Sequence, residues 1–502
     1  NQFLSAILDA LHNKHPSCRL HLNTFHLSGL HGWDAPHLST QDLALVTSPC
    51  LYSISTKYCT MDSVPQPDYH KGAVLDLARG LAPGLKNVSL FSYHPGASLG
   101  TDRARPQWPG FGVEERQKRL TTPILNRLAL DGSWDIKSWS KNIDISKLQV
   151  LELGPSCVTD LNFLRTEIKF TNLNKLVLEL QHVQEFSVPL ADYDDAVSEF
   201  LRSIPPLKAL KIFGDISQKA FDAITERHGA SLQKLHLMAR PSFNNMDFSF
   251  RYFIFKEEHI EQISKSCTQV EELTIKIPRS QGDASEVAIY KAFAAMSKLH
   301  DLYLILDCSI TFLSGEDADY DVDDPDYEAR VPSESYFDDI DRQIIPLSMP
   351  NNSIGIRRGY IRETYINSAL DESLACSIFH AISTGKSSGA LPLNNLTVTT
   401  TGAFEFSHNS GWSHSFSDLS DYMNQFWLVQ RNPRDDRHDQ LVVRYLGGLR
   451  DTKMYSRGNP HQEEAMEIFK SIWSGTGGQD ENYGSWEGSW RDDWHSFPLQ
   501  HG

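Results

Sequence analysis

Apolar residues along this chain fall repeatedly into one six-residue phrase, apolar-x-x-apolar-x-apolar. It reads LKNVSL from Leu85, LNRLAL from Leu125, LQVLEL from Leu148, LNKLVL from Leu173, LKALKI from Leu207 and LQKLHL from Leu232. Three further copies are VEELTI from Val270, LHDLYL from Leu299 and LNNLTV from Leu393, and a weaker one, LYSIST, stands at Leu51. The last two apolar positions are two residues apart, the period of a strand with one buried face. In LQVLEL this predicts Leu151 and Leu153 turned into a core, with Val150 and Glu152 turned out. Leu148 then packs where the chain enters the strand. Seven of the nine full copies carry Leu at both the first and fourth positions. Chance supplies about one such match if Leu is roughly a tenth of residues.

The copies start 40, 23, 25, 34, 25, 38, 29 and 94 residues apart, and most of these spacings lie near or somewhat above the roughly 20–29 residues of a leucine-rich repeat. Between copies the apolar period becomes helical. Ile216, Ala220 and Ile224 share a face, with Asp215 or Ser217 as N-cap and Gly229 as stop. Ile289, Phe293 and Met296 do the same, and Leu370, Leu374, Ile378 and Ile382 form a stripe before Gly385. Alternating strand and helix predicts an α/β leucine-rich-repeat solenoid, a horseshoe with parallel strands on its concave face and helices on its convex face. The alternative is an ordinary α/β domain with coincidental leucines. Against it stands the lack of glycine-rich turns at the strand ends, the usual mark of a ligand crevice in open α/β sheets.

On this reading residues 1–474 form the repeat array, and two stretches depart from the pattern. Residues 314–359 are an acidic, flexible insertion; its stretch 315–342 holds twelve acidic and two basic side chains. Within it Asp317, Asp319, Asp321 and Glu328 stand at positions 1, 3, 5 and 12 of a calcium loop, but Val322 replaces the turn glycine and no amphipathic helix precedes them. Ser335, three residues before Asp338, fits an acid-directed kinase. Residues 420–474 read as a C-terminal cap: strand-like runs FWLVQR and QLVVRYL joined by a polar turn, then the helix EEAMEIFKSIW. The tail 475–502 is acidic and rich in Trp and Gly, with Trp486, Trp490 and Trp494 at four-residue steps. These tryptophans either fold back onto the cap, which is the expectation, or form a partner-binding peptide.

Charge and cysteine usage narrow the function. Of the net −17, the acidic stretch holds −10 and residues 479–494 hold −4, so the body is nearly neutral. It lacks the basic footprint that phosphate backbones need, which argues against a nucleic-acid partner. The apolar stretches are broken by charge well short of a membrane span. The seven scattered cysteines contain no CxxC and read as reduced, mostly buried thiols of a cytoplasmic or nuclear protein. Sequons at Asn87 and Asn395 fall inside the strand phrase, and with Asn351 are read as chance matches. The N-terminal NQFLSAILDAL has no signal-peptide features and is expected to enter a longer protein partway through a helix.

Chemistry is sparse. STGKSSG at Ser383 contains the GKS of a phosphate loop, but it leaves a helix instead of a strand, and His380 stands where the loop glycine belongs. The six histidines of the first 37 residues, His12 and His15 among them, spread over a helix end, a strand and a loop instead of converging on a metal. No hydrolase elbow or metalloprotease motif occurs, so the reading is a non-enzymatic protein with no cofactor and no metal. An enzyme with a site assembled from distant residues is the alternative. The outward positions of the strands supply a surface instead. The nominated protein-binding residues are Glu152, Lys175, Lys211, Phe213, His236, Met238, Thr274, Tyr303 and Thr397, with Ser89, Ala129, Val177, Arg127 and Lys276 beside them. Their mixture of charge, aromatic and polar groups is that of a surface recognising a target protein or peptide.

Several longer phrases carry a family likeness. They are LDLARGLAPGLKNVSLFSYHPGASL with RARPQWPGF, the repeats LNRLAL and LQVLEL, the hairpin VQRNPRDDRHDQLVVRYLG and the ending WHSFPL. As a set, spread over nearly the whole chain, they resemble filamentous-fungal F-box proteins with divergent leucine-rich repeats. The resemblance implies a substrate receptor of a cullin–RING ubiquitin ligase, in which an F-box grips the Skp adaptor of the cullin scaffold and the repeats hold the target. The F-box itself is not visible in this sequence and is expected upstream of Asn1. The alternative is a leucine-rich-repeat scaffold or interaction protein with no ubiquitin-ligase link.

Overall fold

The computed structural model describes residues 2–15, 17–23, 39–59, 69–93, 108–111, 124–131, 136–181, 188–239, 253–308, 337–348, 353–402, 414–434, 440–448, 462–473 and 493–500. The chain divides into two compact units, Asn1–Ser231 and Leu232–Gly502.

The N-terminal unit is built on parallel strands that neighbour one another in chain order. They are β1 (Leu20–Leu22), β2 (Leu51–Cys59), β3 (Asn87–Tyr93), β4 (Arg127–Leu130), β5 (Val150–Ser156), β6 (Lys175–Leu180) and β7 (Ala209–Gly214). The fourth residues of the phrase lie opposite one another across this sheet. Ile54, Val88, Leu128, Leu151, Leu176 and Leu210 form one unbroken rung. No member of it is more than 1% exposed, and the leucines at the first position, from Leu51 to Leu207, are at most 2% exposed. The weak copy at Leu51 is therefore a full member of the series.

Helices cover the apolar side. They include α1 (Gln2–Lys14), α2 (Thr40–Val46), α3 (His70–Asp76), α4 (Ile136–Ser140), α5 (Val158–Glu167), α6 (Leu190–Ser203) and α7 (Gln218–Arg227). Consecutive members α5, α6 and α7 pack side by side. Ser217 is the N-cap of α7: its side chain accepts from the Ala220 N–H. Gly214 closes β7 with φ +91°, and a Cβ there would stand 2.0 Å from the Leu180 carbonyl oxygen, so the turn out of the strand admits only glycine.

The second position of the phrase, polar in every full copy, has a backbone role. The Lys86 carbonyl accepts from the N–H groups of both Asn126 and Arg127, and the Asn126 carbonyl from those of Gln149 and Val150. The same fork runs from Gln149 to Asn174 and Lys175, and from Asn174 to Lys208 and Ala209. Each repeat thus clamps the entry of the next strand without using a side chain, and that is why the filling residues vary while the leucines do not.

In the C-terminal unit β8 (Lys234–Ala239), β9 (Glu272–Pro278) and β10 (Asp301–Asp307) continue the scheme. β11 (Ile344–Ser348) and β12 (Ser353–Arg357) form a separate antiparallel pair. β13 (Asn395–Thr401) returns to the main sheet, parallel to β10. β14 (Gln425–Arg431) and β15 (Leu441–Gly448) then finish that sheet as an antiparallel hairpin. The rung here is Leu235, Leu273, Leu302, Leu396 and Val429, all at most 2% exposed. The covering helices are α8 (Glu257–Ser266), α9 (Ala284–Ala294) and α11 (Glu372–Thr384); α10 (Arg358–Ser368), α12 (His414–Met423) and α13 (Gln462–Ile472) lie in the cap. Asp283 and Asp371 cap α9 and α11 by accepting from the Glu286 and Leu374 N–H groups. In each unit, a mostly parallel sheet alternating with helices is the arrangement of an α/β solenoid.

The expected acidic insertion is in part a folded element. Within the described residues 337–348, Phe337 and Ile345, at 3% and 1% exposure, lie in a second hydrophobic cluster with Tyr360 and Tyr365 of α10 and Leu419 of α12. Ala465, Ile468 and Phe469 of α13 join it, followed by Trp473 and Trp494. Trp494 thus folds back onto the cap, as expected. Trp486, Trp490, Ser335 and the Asp317–Glu328 calcium spacing lie outside the described residues. The hairpin and α13 fall where the apolar pattern placed them.

The open sheet face as a candidate interaction site

Strand alternation sends the residues between the buried leucines to the other side of each sheet. In the N-terminal unit one row across that face is Ser55, Ser89, Ala129, Glu152, Val177 and Lys211. Arg127 and Lys175 stand in the row before it, two residues earlier on their strands. Glu152 draws both together. Its Oε2 accepts from Arg127 Nη2 at 2.9 Å and its Oε1 from Lys175 Nζ at 3.0 Å. Partial burial pushes the Glu152 carboxyl up, but the hydrogen bonds and charges of Arg127 and Lys175 outweigh that and hold it below its ordinary value. On β7 the Lys211 ammonium lies 4.5 Å from the centroid of the Phe213 ring, within cation–π range. Five of the residues named from sequence are thereby joined in two preorganised groups, one across three strands and one along a single strand. Ser89 and Ala129 are buried beside them, at 5% and 4% exposure, and offer little area.

In the C-terminal unit the corresponding row is His236, Thr274, Tyr303, Thr397 and Leu428. Thr274 is 5% exposed, because its two cross-strand neighbours, His236 and Tyr303, are larger than it is. Lys276 is likewise buried; its Nζ meets Asp307 Oδ2 at 3.0 Å, with the two side chains 8% and 7% exposed. Of the residues nominated from sequence, the accessible ones in this unit are half-buried His236, Met238, Tyr303 and Thr397. Tyr303 stacks obliquely with Phe426 of β14, ring centroids 5.8 Å apart. Phe426 and Leu428 were missed because the hairpin breaks the leucine phrase. Their alternation with Val429 was the signal that could have placed them.

The remaining polar chemistry of this unit is buried. The side chains of Arg279 and Glu286 are both fully inaccessible and meet at 2.5 Å. Glu286 also accepts from the Tyr290 hydroxyl at 2.6 Å and from the Ser280 and Gly282 N–H groups at 2.7 and 2.9 Å. One carboxylate thereby fixes the turn leading into α9. Gly282 has φ +74°, and a Cβ there would meet the Pro498 carbonyl oxygen at 2.9 Å, so glycine lets residues 498–499 cross this turn. Lys386 of the rejected phosphate loop donates to the Met296 and Leu299 carbonyls, and burial lowers its pKa to about 8. Burial also raises Cys267 and Cys308 to about 12 and, with Asp160 beside it, Cys157 to about 11, so these groups are neutral thiols near pH 7. His12 and His21 bond Ser48 and Ser53. Among the described residues no three His, Cys, Asp or Glu side chains are grouped to hold a metal, and no helix is long and apolar enough to cross a membrane. Comparison with protein-family models and with curated proteins finds no match to the chain.

Proposed function

We propose that this chain is a non-enzymatic, protein-binding recognition subunit of the F-box type. On this proposal its repeats form a leucine-rich-repeat horseshoe whose open sheet face, on the concave side, holds a target protein or peptide. An F-box upstream recruits the Skp adaptor and cullin scaffold, and the protein works in the cytoplasm or nucleus. The observation that carries the reading is the preorganised outer face, where Glu152 joins Arg127 and Lys175 and where Lys211 lies over Phe213. Side chains already held in one rotamer lose less freedom on binding, and the aromatic and cationic groups are the kinds that dominate interface energies.

The second reading is an interaction scaffold with no ligase link, which the same outer-face groups would serve equally. Affinity purification of the natural protein from its own cells separates the two. Skp adaptor and cullin co-purifying, and lost when any segment upstream of Asn1 is deleted, supports the receptor. A partner set without either supports the scaffold and sinks the ligase proposal.

A further inference from the structure

β15 is the last strand of the C-terminal unit's main sheet among the described residues, paired on one side with β14. Its sequence, LVVRYLGG, carries one charge and no proline. Tyr445 and Leu446 are 40% and 45% exposed. Leu441, Val442 and Val443 are half-buried. Natural sheet edges are usually blunted by lysine, proline or a bulge in the edge strand. Leu441–Tyr445 has neither lysine nor proline and carries Arg444 as its one charge; its register with β14 is regular over that stretch, and a bulge follows between Tyr445 and Gly447.

The backbone direction is set by one bond. The Asn432 N–H donates to the Gln440 carbonyl at 2.9 Å, so Gln440 faces β14. Antiparallel alternation then points Val442 and Arg444 the same way and turns the N–H and C=O of Leu441 and Val443 to the outer edge. The strand is self-complementary. Laid antiparallel on itself about Val443, it sets Val443 against Val443 and Leu441 against Tyr445 twice, all on the face shared with Val429 and Trp427. On the other face Val442 meets Arg444. Centred one residue later, the same pairing would oppose Arg444 to Arg444, a destabilising like-charge pair.

We infer that β15 is an isologous interface: a second copy of this chain adds its own β15 antiparallel, about a two-fold axis at Val443. The pairing does not depend on the proposed function.

Cysteine scanning at 441, 443 and 445 reads the register directly, on a Cys18→Ser background because Cys18 is exposed. Residues opposite at the axis stand about 5.5 Å apart at Cα, within disulfide span. Leu441 and Tyr445 each lie about 14 Å from their own copies, four residues along the strand. Under mild oxidation Val443→Cys should give a linked dimer and the other two singly should not, whereas mixed Leu441→Cys and Tyr445→Cys chains should link to each other. The unsubstituted chain should sediment with a concentration-dependent mass that Val443→Lys shifts toward monomer. Circular dichroism melts confirm that each variant is folded. Equal cross-linking at all three positions would overturn the proposal. So would a monomer at every concentration, including one whose β15 edge instead accepts an added target peptide.

Discussion

Glu152 and His228 show how single side chains carry charge in opposite ways in this protein. Glu152 is held ionised by Arg127 and Lys175, so its folded-state pKa lies below the unfolded one. Its contribution is complete above the ordinary glutamate range and is lost as pH falls through the lowered value. Because Arg127 and Lys175 are 38% and 43% exposed, Glu152→Gln should cost only about 0.5–1 kcal/mol at pH 7 and should flatten the acid limb of a stability profile. His228 has no exposed surface, and burial pushes its pKa down to about 4, against the stabilising hydrogen bond to the Leu201 carbonyl. Between that value and the ordinary 6.5 the unfolded chain binds the extra proton, so stability rises with pH across the window, by up to about 3 kcal/mol. Urea titrations from pH 4 to 7 should show this slope in the parent and a weaker one in His228→Gln. Equal slopes would mean that the buried ring is not the group titrating. The Arg279–Glu286 pair is a harder lock. Glu286→Ala leaves an uncompensated guanidinium and two loop N–H groups, and should cost about 3–5 kcal/mol in the same titrations.

Along each strand, the energetic weight of a position follows its parity. Leu151→Ala, on the rung, should cost about 3 kcal/mol, whereas Val150→Ala, one residue away and half-buried on the opposite face, should cost less than about 1 kcal/mol. Gly214→Ala should cost more than about 1 kcal/mol, since φ +91° and the Leu180 carbonyl both refuse a Cβ. That parity was legible in the sequence because burial on one side of a strand forces a two-residue period, and the rungs from Ile54 to Val429 follow it without a slip. Of the two N-caps the sequence offers for α7, Asp215 and Ser217, the structure uses Ser217; Asp283 and Asp371, the caps of α9 and α11, were not singled out. What could not be read was set by partners far along the chain. Phe337 and Ile345 belong to an acid-rich stretch whose composition predicts a loop, yet they are buried against Tyr360, Phe469 and Trp494. Thr274 and Lys276 were placed correctly on the outer face, but their exposure depends on His236, Tyr303 and Asp307 across neighbouring strands, and a single-strand pattern does not contain those neighbours.

For the whole molecule, the repeats account for an α/β array whose leucines are committed to the core and whose outer rows are, on the receptor proposal, the recognition surface. The receptor proposal and the β15 pairing use different surfaces, so each stands or fails alone. The most direct measurement of the central claim is co-purification of cellular partners with outer-face variants, made separately in each unit. Lys211→Ala/Phe213→Ala and His236→Ala/Tyr303→Ala remove half-buried side chains of the open face and leave every rung intact. Both should melt within a few degrees of the parent. At least one should lose the bound partner, by tenfold or more in recovered amount. Full recovery of the same partner set with both variants, folded and at equal expression, would contradict the claim that this face is where the protein binds.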